Sequence, residues 1–243
     1  MNGACADERP NPEGRRPKEA RNPKTEKIRA VTFDVGGTLI ECWPSVGHIY
    51  AEVATRYGHR PLSPIVLNRR FKGAWKEFKD FGHTAADWSA LVDATFCGLI
   101  ETVPSQTFFP QLFERFSEPD AWHIFEDVLP ALTALKSRGL KLGIISNWDA
   151  RLRPLLVRLN LAGRFEAIIV SCEAGVRKPS AGIFDSACAA LGTERAETLH
   201  VGDSREMDLD GARAAGLQAL WLRRELRRSA RLKIRSLRDL DKI

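Results

Sequence analysis

The chain has 243 residues, of which 44% are hydrophobic and 28% charged, with a formal net charge of +6. This balance fits one large folded domain or a core with an insertion, and no apolar run approaches the ~18 residues needed to cross a bilayer. The polar N-terminus has no apolar signal core. The five cysteines (Cys5, Cys42, Cys97, Cys172, Cys188) form no C-x-x-C pair, so neither a zinc site nor a disulfide framework is expected. The expected setting is cytoplasmic and reducing.

Residues 1–26 are rich in Pro, Asn and charge with almost no large apolar side chains, and disorder is expected there. Structure is expected to begin near Ile28. The apolar run Ala30 to Phe33 ends in Asp34, followed by Gly36, Gly37 and Thr38. From about Trp43 to Trp122 aromatic residues recur at helical spacing, with Phe71, Trp75 and Phe78 on one i, i+4, i+7 face. Four or so helices are read here, with most of these aromatics (Tyr50, Tyr57, Trp88 and Phe96 among them) assigned to a core. Glu41-Cys42-Trp43 is the expected hinge into this segment, and Cys42 is read as a small buried side chain.

Beyond it, short apolar runs alternate with helical patterns. Strands are predicted over Leu140 to Ser146, Ala167 to Ser171, Thr198 to Val201 and Gln218 to Leu222. Helices are predicted over Val128 to Arg138, Leu152 to Leu159, Ala181 to Leu191 and Asp208 to Ala215, with Gly139, Gly192 and Gly216 where helix C-caps belong. Such alternation implies a parallel sheet covered on both faces, with the ligand site beyond the carboxyl ends of its strands. From Trp221 onward there are nine Lys/Arg and three Asp/Glu, which alone account for the net +6. The run Arg223-Arg224-Glu225-Leu226-Arg227-Arg228 is read as a solvated face rather than a nucleic-acid contact, since no nucleic-acid module accompanies it.

The predicted strand ends carry the chemistry. A carboxylate such as Asp34 can attack phosphorus and form an aspartyl-phosphate, splitting one hard displacement into two easier ones. Gly36 and Gly37 allow a sharp turn that brings backbone amides to an anion, and Thr38 adds a hydroxyl. Ser146-Asn147 offers a hydroxyl and an amide to a phosphoryl oxygen. Lys178, before Pro179, is a cation able to neutralise carboxylate and phosphate together. Asp203 and Asp208, in a strand-to-helix turn, suit a hard divalent ion. Arg177, Arg205, Glu206 and Asp210 are read as surface charges, and His200 as a hydrogen-bonded core histidine.

As a set, D-x-G-G-T-L from Asp34, Ser146-Asn147, Lys178-Pro179 and G-D-S-x-x-x-D from Gly202 resemble the haloacid dehalogenase superfamily, in the branch with a helical C1-type cap after the first strand. The resemblance runs from about Ile28 to Leu222. It implies an α/β fold with a Rossmann-like parallel-sheet core (residues 27–42 and 123–243) and a helical cap (43–122). It implies Asp34 as nucleophile, Thr38 and Ser146 as orienting groups, and Lys178 as the charge-neutralising residue. Gly37, Ser146, Asn147 and Lys178 would bind the phosphoryl group. Mg²⁺ would be held by Asp34, the Gly36 carbonyl, Asp203 and Asp208. The chain departs from the family phosphatases at Gly36, where they carry a second Asp that protonates the leaving oxygen and activates water. The expected activity is that of a Mg²⁺-dependent phosphatase on a small phosphorylated metabolite. The alternatives are a metal-independent 2-haloacid dehalogenase or a phosphonate hydrolase, the latter calling on a cap lysine (Lys72, Lys76 or Lys79), and a catalytically weak binding protein. No membrane or nucleic-acid partner is expected, and the chain is read as a monomer or homodimer.

Overall fold

The computed structural model describes residues 27–78 and 80–242; the expected tail, with Cys5, and Lys79 lie outside them. Strand β1 (Ala30–Phe33) leads to a short strand β2 (Ile40–Cys42), then helices α1 (Val46–Arg56), α2 (Pro64–Glu77), α3 (Ala85–Phe96) and α4 (Phe109–Arg115). The chain returns through β3 (Trp122–Ile124) to α5 (Val128–Ser137), β4 (Lys141–Ser146), α6 (Leu152–Arg158), β5 (Ala167–Val170), α7 (Ser171–Ala174) and α8 (Ala181–Leu191). It closes with β6 (Thr198–Gly202), a π-helical turn (Arg205–Asp210), α9 (Gly211–Ala214), β7 (Gln218–Leu222), β8 (Lys233–Ile234) and a 3₁₀ turn (Leu237–Lys242).

The main sheet has six strands in the order β5-β4-β1-β6-β7-β8, and every pair in it is parallel. All residues of β1 and β6 are buried, as strands covered on both faces require. The two faces alternate along β4. Leu142 and Ile144 pack with α5 and α6, whereas Ile145 packs with α8 and α9. Gly139, Gly192 and Gly216 have φ of 76°, 60° and 90°, the left-handed geometry that ends helices. The predicted core strands match within a residue or two at each end. This is an α/β, Rossmann-like fold.

The helices α1–α4 have their own core around Tyr50, Leu67, Phe96 and Phe108. They leave and rejoin the sheet through an antiparallel β2–β3 pair, Ile40 opposite Ile124 and Cys42 opposite Trp122. No described helix is long and apolar enough to cross a membrane.

Two expectations are corrected. The helix predicted over Asp208–Ala215 instead begins as a π-helical turn at Arg205, where the amides of Asp208 and Leu209 both reach the Ser204 carbonyl, at 3.1 and 3.2 Å. The wide turn points the Asp208 side chain back at the sheet. The basic C-terminal run is not wholly a solvated face. Leu237 and Leu240 are fully buried in the main core. The Arg224 guanidinium binds the Asp127 carboxylate at 2.9 Å and the Thr38 carbonyl at 2.7 Å, stacked on Phe125.

Candidate active site

The ends of β1, β4 and β6 converge where the order of the sheet turns outward from β1, the position such folds reserve for ligands. β1 delivers Asp34, β4 delivers Ser146 and β6 delivers Asp203. Lys178 enters from the loop before α8 and is almost completely buried. Its Nζ donates to Asp34 Oδ1 and to Asp208 Oδ1, each at 2.6 Å, while Ser146 Oγ donates to Asp34 Oδ1 at 3.3 Å. Asn147 fixes the lysine rather than facing the cleft freely. Its Oδ1 accepts from the Lys178 amide at 2.8 Å and its Nδ2 donates to the Lys178 carbonyl at 3.0 Å.

Burial alone would lower the Lys178 pKa, but the Asp208 and Asp34 charges reverse this and keep it protonated. Burial raises the Asp34 pKa, and the Asp208 charge adds to that against the pull of Lys178. Asp208 resists its own burial through Lys178 and His200 and stays well below the usual carboxylate range. His200 Nε2 donates to Asp208 at 3.1 Å, and the Thr32 hydroxyl meets Nδ1 at 2.9 Å. Burial holds this histidine neutral, a hydrogen-bonded core residue that also props the site.

Asp203 opens toward the cleft. Crowding by protein, then the charges of Asp34 and Asp208, push its carboxyl up to about 7. Carboxylate oxygens of Asp34, Asp203 and Asp208 lie within 4.8 Å of one another. Three carboxylates against one ammonium leave a deficit of positive charge, and hard oxygen donors at this spacing fit Mg²⁺. Close packing makes the cluster possible. A Cβ on Gly37, whose φ is +74°, would collide with the Asp203 carboxylate, and one on Gly202 would collide with Asp208.

The floor of a cavity of about 720 Å³ is formed by Asp34, Gly36, Ser146, Asn147, Lys178, Asp203 and Asp208. Gly37 and Thr38 are not among its lining residues. Thr38 is fully buried, and its hydroxyl has no hydrogen-bond partner. Cys42 also borders the cavity, and burial pushes its thiol up to about 12.

Several lining residues are invisible to, or misread from, the sequence. Trp75, Phe78 and Trp88, read as core, border the cavity, and Trp75 is 40% exposed; Tyr50 and Phe71 border it while belonging to the helical core as expected. A helical stripe of aromatics has the same period whether it faces a core or a cleft. Trp148, directly after Ser146-Asn147, was not singled out, although its place after a strand end was the available signal. Arg177 is no free surface charge: it donates to the Phe81 carbonyl at 2.8 Å and faces the cavity.

A family model described as a hydrolase, haloacid dehalogenase-like hydrolase, matches residues 28–216. The Bos taurus haloacid dehalogenase-like hydrolase domain-containing protein 3 is 33% identical over 204 residues, 79% of this chain and 81% of the bovine protein. A Thermus thermophilus phosphoserine phosphatase is 34% identical over 113 residues, 46% of this chain and 45% of that protein. Among solved structures, a HAD phosphatase from Thermococcus onnurineus matches with a TM-score of 0.64 at 26% identity, covering 88% of this chain and 97% of that one. L-2-haloacid dehalogenase from Xanthobacter autotrophicus shares the fold, with a TM-score of 0.68 at 20% identity over 88% of this chain and 97% of that one. With its site at the strand ends and a family model spanning residues 28–216, the chain belongs to the haloacid dehalogenase-like hydrolases.

Proposed function

We propose that this hydrolase is a Mg²⁺-dependent phosphatase that cleaves a small phosphomonoester through an aspartyl-phosphate on Asp34. The observation that carries this reading is the buried Lys178, shared between Asp34 and Asp208 at 2.6 Å each, beside an Asp203 that faces the cleft. A carboxylate oxygen of Asp34 attacks phosphorus, and the P–O bond to the leaving group breaks with its electron pair on the leaving oxygen, which takes a proton from water. A second water attacks the aspartyl-phosphate, releases inorganic phosphate and restores Asp34. Lys178 offsets the charge of Asp34 and of the incoming phosphoryl oxygens, and Ser146 orients the same carboxylate. Asp34, Asp203 and the Gly36 carbonyl would hold Mg²⁺, with Asp208 behind them securing Lys178; bound there, the ion neutralises phosphoryl charge.

The acidic group argues against a metal-independent dehalogenase. Among the described residues the lysine needed for phosphonate chemistry has no support: Lys72 and Lys76 border a separate groove along α2. Gly36 supplies no proton donor, a form of help that contributes about 10²–10⁴ in rate.

A panel of phosphate esters with and without Mg²⁺ tests the proposal, with Asp34→Asn as control. Wild type should hydrolyse at least one ester only when Mg²⁺ is present, and Asp34→Asn none. If no ester, even one with an activated aryl leaving group, is cleaved above the Asp34→Asn control, the phosphatase reading is wrong.

A further inference from the structure

The cavity is much larger than a phosphoryl group needs. At about 720 Å³ it falls in the range of pockets that hold whole small molecules, about 300–1,000 Å³. Above the carboxylate floor its wall is aromatic. Trp75, Phe81 and Trp88 form a cluster with ring centroids 4.9, 4.7 and 5.8 Å apart. On the core side Trp148 stands next to the reaction centre. A Cβ on Gly36 would lie 3.4 Å from its Cζ3, so the indole borders the place where family phosphatases carry their second carboxylate.

The arginines of the upper cavity already have partners. Arg151 is forked onto Asp149 at 2.8 and 2.6 Å and stacked on Phe113. Arg177 donates to the Phe81 carbonyl and lies 3.7 Å from Asp80. The remaining charged groups above the floor, Asp80 and Glu206, are acidic. A substrate with a second anionic group would therefore meet, among the described lining residues above the floor, only cations that already have partners. A flat ring would meet several aromatic side chains, each able to contribute beyond simple burial.

We infer that the cleft is built for an aryl phosphomonoester of one or two fused rings, with the phosphate on the Asp34 floor and the ring in the aromatic part beside Trp148. The inference rests on the phosphatase reading for its chemistry. It also accounts for Gly36. A phenol has a pKa of about 10, whereas an alkyl alcohol is close to water at about 16. An aryloxide leaves with the electron pair of the P–O bond and takes its proton from water, so the missing carboxyl is least needed for this leaving group.

Calorimetric binding to Asp34→Asn with Mg²⁺ present separates recognition from turnover. 2-Naphthyl phosphate should bind at least tenfold more tightly than n-butyl phosphate or inorganic phosphate. In the wild-type enzyme, Trp75→Leu and, separately, Trp88→Phe should each lower the kcat/KM ratio of 2-naphthyl to n-butyl phosphate several-fold, chiefly through KM for the aryl ester. Equal binding of the two esters, or an unchanged ratio in both variants, overturns the inference while leaving a phosphatase that hydrolyses esters intact. Tenfold preferential binding without hydrolysis of any ester overturns the phosphatase reading and upholds the aryl phosphate as ligand.

Discussion

At the scale of single residues, the site is decided by which charges are shared. Lys178 binds two carboxylates with one ammonium, and removing one partner of a buried pair typically costs about 3–5 kcal/mol. Gly36 is the clearest place for a gain. A Cβ there meets Trp148 only at van der Waals distance, so the backbone position admits the Cβ of Gly36→Asp. It should raise kcat for n-butyl phosphate at least tenfold and more than for 2-naphthyl phosphate, since proton donation helps the poorer leaving group. An equal gain on both esters would contradict a missing proton donor. His83 sits at φ 62° against Phe81 and Trp88, its Nδ1 buried without a partner. Burial holds it down to about 4. The unfolded chain takes up this proton below about 6.5 and the folded chain only near 4, so stability falls as pH drops through that interval. Urea unfolding should show wild type losing about 1–2 kcal/mol more than His83→Asn between pH 7.5 and 4.5, allowing for partial exposure. Parallel losses would mean the ring titrates normally.

At the scale of elements, two short segments that differ from their sequence reading shape the site. The π-helical turn after β6 aims Asp208 inward, where its Oδ2 also accepts from the Ser204 amide at 2.9 Å. The C-terminal segment clasps the loop after β1. Asp127 gathers Arg224 at 2.9 Å, the Ser236 hydroxyl at 2.7 Å and the Leu237 amide at 2.8 Å, while Arg224 reaches on to the Thr38 carbonyl. Arg224→Ala removes charge-assisted bonds on a buried carboxylate and should cost about 2–3 kcal/mol. Arg224→Lys should recover less than half of this, because one ammonium cannot span both acceptors. The midpoint of urea unfolding measures both. A loss under about 0.5 kcal/mol would make the segment a dispensable strap.

At the scale of the whole molecule, the succession of core strands along the chain and the polar residues at their ends were legible in the sequence. Apolar runs of four to six residues between helical patterns admit few solutions other than a covered parallel sheet, and Asp34, Ser146 and Asp203 follow from strand ends alone. Local signals did not reveal the joint between the sheet and the helical insertion. The β2 and β3 strands have three residues each, too short for a periodic signal, and their pairing spans about eighty residues of chain. The sequence by itself thus determined the core strands, the glycine helix ends and the strand-end places of Asp34, Ser146 and Asp203, because those depend on local patterning. Only the tertiary structure decided that the aromatic stripe of α2 faces a cleft, that Arg177 and Arg224 are engaged, and that Lys178 is shared between two carboxylates. Each of these depends on what a distant segment places opposite the residue, which no local period records.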